Sequence, residues 1–170
     1  MPAMTVTLRD ATLLDASRLG IVKYESWIAA FSSIGIAEHL IAPGPEGYAD
    51  QWRIDIAAAK PGEIVVAEEN GVVIGYRVIG TGRGHAQPGE LELETIYLHP
   101  DSWGKSVGSL LMANAIENMR ARGATRAFLW MHPLNQRAEG FYEAKGWRKD
   151  GPPRDDVYEG TLMQRMIVDL

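Results

Sequence analysis

An α/β domain with a mixed central sheet of about six or seven strands, flanked by about four helices and with a parallel pair at its centre, is the fold class this sequence predicts. Three observations predict it. Two alternating runs, Glu63 to Glu68 and Val72 to Ile79, meet across Glu69-Asn70-Gly71, where asparagine and glycine accept the positive φ of a tight hairpin turn. A strand, a helix and a second strand follow between Glu90 and Met131, and a right-handed crossover of that kind makes the two strands parallel. A further helix and two closing runs complete the chain with no repeat, linker or low-complexity stretch, so residues 1–170 read as a single domain.

In chain order, Thr5 to Arg9 alternates as a first strand, and Asp10 and Thr12 offer caps for a helix after it. Leu13, Leu14, Leu19, Ile21, Val22, Trp27 and Ile28 give one long or broken helix from Thr12 to Phe31. Pro43, Gly44 and Pro45 mark Ile34 to Gly47 as loop with room for one helical turn. Tyr48, Trp52, Ile56 and Ala59 then lie along one side of a second helix, which Pro61-Gly62 stops. Trp27, Phe31 and Trp52 either wall a substrate pocket or, as the simpler reading, pack helices together.

The glycine-rich run from Gly80 to Gly89 is a flexible loop leading into an alternating strand from Glu90 to Leu98, which places Glu92 and Glu94 on one face. His99-Pro100 stops that strand. Val107, Leu110, Leu111, Ala115, Ile116 and Met119 keep the spacing of a central helix, and Arg122-Gly123 ends it. Thr125 to Met131 is an apolar strand, Asn135 caps a helix from Gln136 to Ala144, and Lys145-Gly146 stops it. Trp147 to Asp150 and Leu162 to Val168, around a Pro152-Pro153 loop, close the sheet as two antiparallel strands.

Composition narrows the function classes. A formal net charge of −5 argues against a nucleic-acid surface and sooner attracts a cationic substrate. The chain has no cysteine, which excludes disulfides, a cysteine zinc site and an acyl-cysteine intermediate. His39 and His85 have no ligand-type spacing to any partner, so no metal is expected, and His99 and His132 each precede a proline and read as loop residues. No run approaches the roughly 18 apolar residues of a membrane span, and no basic start with an apolar run reads as a leader. The expected setting is cytoplasmic, without a membrane partner.

The strand from Glu90 runs through a turn with little side-chain bulk into the N-terminus of the central helix, where unpaired amides and the helix dipole favour an anion. Gly104-Lys105-Ser106 resembles the end of a Walker A loop, but that pattern needs glycine where His99 stands. Gly80-Thr81-Gly82 fails as a dinucleotide fingerprint, because His85 holds the place of its last glycine. Tyr97-Leu98-His99-Pro100 followed by Trp103-Gly104-Lys105-Ser106-Val107-Gly108 resembles motif A of the GNAT superfamily of N-acetyltransferases, with Trp103 in place of Gln or Arg and Ser106 in place of the central glycine. Asn135, Ala138, Phe141, Tyr142, Gly146 and Trp147 resemble its motif B in type and spacing.

This resemblance implies acetyl-coenzyme A as co-substrate and direct transfer to a primary amine of a small molecule or peptide in a ternary complex. Backbone groups of Ile96 and Leu98 are then expected to pair with the pantetheine arm. Amides from Trp103, Gly104, Lys105, Ser106, Val107, Gly108 and Ser109 are expected on the pyrophosphate, with Asn135 and Ala138 on the coenzyme's other side. Tyr142 is implied as the acid that protonates the departing thiolate, and Glu94, or else Glu92 or a water, as the base that frees the amine. A non-catalytic acyl-coenzyme A sensor is the alternative, and a homodimer is compatible, since dimers are common among proteins that look like this.

Overall fold

The structure is a computed structural model and describes residues 5–35, 38–158 and 160–170. Its strands are β1 (Val6–Asp10), β2 (Ile64–Glu69), β3 (Val72–Gly80), β4 (Glu90–Leu98), β5 (Arg126–Met131), β6 (Arg148–Lys149), β7 (Arg154–Tyr158) and β8 (Thr161–Asp169). Its helices are α1 (Ala16–Phe31), α2 (Glu38–Ile41), α3 (Gly44–Ala58), α4 (Val107–Ala121) and α5 (Gln136–Ala144), with 3-10 turns at Leu13–Asp15 and Pro100–Ser102. The sheet has eight strands in the order β1-β2-β3-β4-β5-β8-β6, with β7 paired to β8. The strand count exceeds the six or seven expected because β7, reading Arg154-Asp155-Asp156, carries no apolar alternation to announce it. Helix α3 starts at Gly44 rather than Tyr48, with a proline at its first turn, where the missing N–H costs nothing. The turn allowed within the preceding loop is α2, although residues 36 and 37 of that loop lie outside the described residues.

Packing divides the chain into two compact units, Met1–Val78 with Thr95–Ala115, and Ile79–Glu94 with Ile116–Leu170. In the first, Val65 and Ala67 alternate with Ile64 and Val66, so β2 buries both faces. Ile64 and Val66 join Tyr76 against Leu19 and Val22 of α1 and Tyr48 and Trp52 of α3. Trp52 lies edge-on to Tyr76 with centroids 4.8 Å apart, and is core; Trp27 packs on Phe31 at 5.1 Å and Tyr97 at 6.3 Å and stays half-buried. Val65, Ala67 and Ile74 pack with Val107 and Leu111 of α4. The hairpin turn holds Asn70 at φ 52° and Gly71 at φ 79°, the two positive values such a turn needs.

Arg77 of β3 is fully buried in this unit. Its guanidinium donates to the carbonyls of Gly62 (2.7 Å) and Glu63 (3.0 Å) and, from Nε and NH2, to Oδ1 of Asn114 (3.0 and 2.5 Å). It therefore ties the start of β2 to the middle of α4.

In the second unit β4 and β5 are parallel, with Glu90, Leu91 and Glu92 opposite Arg126, Ala127 and Phe128. β8 pairs antiparallel with β5 along all six residues of that strand. Phe128, Trp130 and Ile167 form the apolar centre of one face. Glu90 and Arg165, both buried, bond at 2.5 Å, and Arg165 also reaches Asp150. No described helix is long and apolar enough to cross a membrane.

Replacing Arg77 by Met leaves two part-buried carbonyls and Asn114 without these donors. Urea unfolding of Arg77→Met is expected to show a loss of roughly 3 kcal/mol. A loss under about 1 kcal/mol means that these bonds are not a main support of the unit.

Candidate active site

The first unit carries the turn from β4 into α4. The Asp101 amide donates to Nδ1 of His99 (3.3 Å), and Nε2 of the same ring meets Glu25 at 2.5 Å. The Trp103 amide donates to the Pro100 carbonyl (3.1 Å), so of the amides expected to face a phosphate this one is already engaged. Its indole N–H donates to the Leu98 carbonyl (3.1 Å), which explains how an aromatic residue serves where the motif has Gln or Arg: it staples the turn to the end of its own strand. Gly104 then takes φ 78° and Ser106 φ 63°. Serine thus adopts the left-handed conformation of the glycine it stands in for, at a cost of about 1–2 kcal/mol.

Helix α4 comes directly after. Its first ladder bond runs from the Leu110 amide to the Ser106 carbonyl (3.1 Å), so the N–H groups of Val107, Gly108 and Ser109 precede the ladder at the positive end of the dipole. Val107 and Leu111 are buried against Ile96 and Leu98, which fixes the helix on β4, while Gly104, Lys105 and Ser106 stay exposed. Pairing between β4 and β5 ends at Glu92, leaving the remainder of β4, Ile96 and Leu98 included, without a β5 partner. Leu98 keeps a carbonyl partly occupied by the Trp103 indole.

The second unit carries the acid and base candidates. Asn135 caps α5, its Oδ1 accepting from the Ala138 amide (3.1 Å), so Ala138 has only its methyl to offer a ligand. Tyr142 lies one turn from the end of α5, with Trp147 at 6.1 Å and Phe141 at 5.6 Å between ring centroids. The residue is half-buried, yet its phenol is enclosed enough that desolvation pushes its pKa well above the usual range. Desolvation of this kind favours the protonated phenol. His132 repeats the local geometry of His99, its Nδ1 accepting from the amide two residues on (Leu134, 3.2 Å), which makes both histidines turn-formers. The side chain of His39 lies outside the described residues.

Glu92 and Glu94 differ sharply. Glu92 is 1% exposed, and both its oxygens are held by Arg83, from Nε (3.2 Å) and NH2. A carboxylate so engaged is a poor base. Glu94 is half-buried and its carboxylate lies over Gly80, where a Cβ would collide with it.

The description "Acetyltransferase (GNAT) family" belongs to the family model that matches residues 28–147. The chain belongs to this family. As a GNAT protein it is an acetyltransferase by family, and its relatives bear this out. The uncharacterized N-acetyltransferase YuaI of Bacillus subtilis (strain 168) is 27% identical over 130 residues, 76% of this chain and 73% of its own. The L-amino acid N-acyltransferase MnaT of Escherichia coli (strain K12) is 30% identical over 84 residues, 49% of each chain. The crystal structure of the PaiA N-acetyltransferase of Thermoplasma acidophilum in complex with coenzyme A has the same fold, with a TM-score of 0.80, 20% identity and coverage of 98% of this chain and 100% of its own. YncA of Salmonella typhimurium, a putative acetyltransferase with its cofactor acetyl-CoA, has a TM-score of 0.71 and 22% identity over 98% and 94% of the two chains.

Reading by motif gives no sign of the pairing of Arg83 with Glu92. The available signal was a lone arginine between two glycines just before a strand carrying two glutamates, Gly82-Arg83-Gly84 and Glu92, Glu94. Ser106→Gly is expected to relieve the left-handed strain and raise stability by about 0.5–1 kcal/mol after the added freedom of the unfolded chain. Chemical denaturation measures this; a destabilised Ser106→Gly means that the hydroxyl contributes more than the strain takes away.

Proposed function

We propose that this GNAT protein, acting as one domain over residues 1–170, transfers an acetyl group from acetyl-coenzyme A to a primary amine of a small molecule or peptide by direct attack in a ternary complex. The observation that carries the reading is the pair of left-handed residues, Gly104 and Ser106, at the N-terminus of α4. Residues of that conformation turn successive amides toward one concavity, and the three amides ahead of the helix ladder add donors at the dipole's positive end. The donor set suits a pyrophosphate. Coenzyme A in the Thermoplasma structure and acetyl-CoA in the Salmonella one support the same co-substrate here.

Acetyl-coenzyme A supplies an activated acetyl carbon and a thiolate leaving group. Gly104, Lys105, Ser106, Val107, Gly108 and Ser109 hold its pyrophosphate through backbone N–H groups, and Trp103 serves by anchoring the loop. Ile96 and Leu98 offer backbone groups to the extended arm along the part of β4 that lies beyond its register with β5. Asn135 contributes its side-chain amide and Ala138 its methyl. Glu94 takes one proton from the acceptor ammonium to free the attacking amine, the second proton lost from that nitrogen passes to water as the carbon–nitrogen bond forms, and Tyr142 delivers a proton to the sulfur as the carbon–sulfur bond breaks. The burial that raises the Tyr142 phenol keeps it protonated for that role.

Tyr142→Phe keeps the ring and removes the donor. It is expected to lower kcat by roughly ten- to a thousandfold while acetyl-coenzyme A still raises Tm as in the wild type. Unchanged turnover removes Tyr142 from the mechanism. Glu94→Gln is expected to lower turnover most near neutral pH and to recover partly at alkaline pH, where more of the amine is already neutral. A change confined to KM that shrinks with added salt assigns Glu94 to attraction of the acceptor rather than to proton removal.

A further inference from the structure

We propose that Arg83, pinned by Glu92 and stacked on Tyr158, receives a carboxylate carried by the acceptor, so that the amine acetylated here is amino-acid-like. This deepens the acetyl-transfer reading above and rests on it. The loop at Arg83 is built for a purpose beyond connection. Gly82, Arg83 and Gly84 take φ values of 92°, 45° and 87°, three left-handed residues in succession, and arginine there is strained. Gly82 cannot be anything larger, because an added Cβ would lie 2.7 Å from Ala86 Cβ and 2.8 Å from Phe128 Cζ. The backbone is thereby seated on the apolar centre of the unit with Arg83 at its crest.

The guanidinium is as fixed as the backbone. Nε and NH2 fork onto Glu92, a carboxylate 1% exposed, and the Tyr158 ring centroid is 5.0 Å from the guanidinium carbon. A buried carboxylate needs a cation, but any lysine or arginine reaching over it would satisfy that need without a strained backbone. The fork onto Glu92 commits Nε and NH2, and the Tyr158 phenol is a further hydrogen-bond partner of the guanidinium, yet the side chain is still 44% exposed. Neutralisation of Glu92 is complete, so what Arg83 presents outward is a preorganised donor.

Glu94 stands two residues along β4 from Glu92 and so on the same strand face as the carboxylate that Arg83 grips, and its charge favours the charged guanidinium. An acceptor with an ammonium and a carboxylate a few bonds apart meets both groups: the ammonium faces Glu94, the carboxylate faces Arg83. A polyamine would set a second positive charge against the arginine, and a simple alkylamine would leave it without a partner.

The test compares matched acceptors, an L-amino acid, its carboxamide and the amine lacking the carboxylate, by release of free coenzyme A from the full chain. Across several side chains, wild type is expected to favour the free acid over the carboxamide by roughly tenfold or more in kcat/KM. Arg83→Gln is expected to raise KM for the acid by roughly ten- to a hundredfold, with kcat and the carboxamide little changed. Arg83→Gln strands a buried carboxylate, so Arg83→Gln with Glu92→Gln is measured beside it, with Tm as the check on folding. A folded double variant that loses the preference supports the assignment; one that keeps it overturns the assignment, as does a wild type indifferent to the carboxylate. Acetylation of amines regardless of carboxylate defeats this inference alone, whereas acetylation of no amine at all defeats the acetyl-transfer reading and this inference with it.

Discussion

Apolar contact between Ile96 and Leu98 of β4 and Val107 and Leu111 of α4 is the constraint on which the loop between them depends. With strand and helix locked side by side, the intervening residues have to reverse direction within a short span. That span is what forces Gly104 and Ser106 into left-handed conformations. The amides of Val107, Gly108 and Ser109 stand ahead of the helix ladder, which starts with the bond from Leu110 to Ser106. The indole of Trp103 braces the arrangement from the strand side. The left-handed turn at the start of α4 is therefore a by-product of hydrophobic packing.

Periodicity made most of the fold legible. The parallel pair of strands, the hairpin through Asn70-Gly71 and the cap of α5 at Asn135 derive from local rules that tertiary contacts had no cause to override. What stayed hidden was written in charge. β7 opens Arg154-Asp155-Asp156, where the pairing with β8 is made by backbone and no side-chain alternation reports it. The start of α3 lay behind two prolines and a glycine, read as loop, though proline in a first helical turn loses no bond. At the site, the motif residues announced themselves by spacing, but which of their groups were already engaged could not be read: the Trp103 and Ala138 amides are committed within the protein. Glu92 and Glu94 looked equivalent from alternation alone, and the difference between them rests on Arg83, nine positions away in sequence.

Several ionic groups have been taken out of water here, and each is paired in a different manner. Arg77 donates to two backbone carbonyls and Asn114, Glu90 accepts from Arg165, and Glu92 from a half-exposed Arg83. Ion pairs of this kind contribute less to stability than their short distances imply, since desolvation offsets much of the attraction, but breaking one partner leaves a charge stranded. Their effect is to fix geometry. In the second unit this holds the loop before β4 at a set height over the face that carries Phe128 and Trp130.

The enclosure of Tyr142 reaches beyond a single chemical step. In the proposed cycle the phenol gives up its proton once per turnover, and the phenolate left behind is disfavoured by the same desolvation that kept the proton in place. Glu94 meanwhile ends the cycle carrying a proton it did not have at the start. That proposed cycle implies a resetting step, in which one hydrogen ion travels to the ring before the next acceptor is served. Its speed depends on how readily solvent or departing product can ferry that ion, so a reaction written as acyl transfer acquires a second clock set by proton mobility.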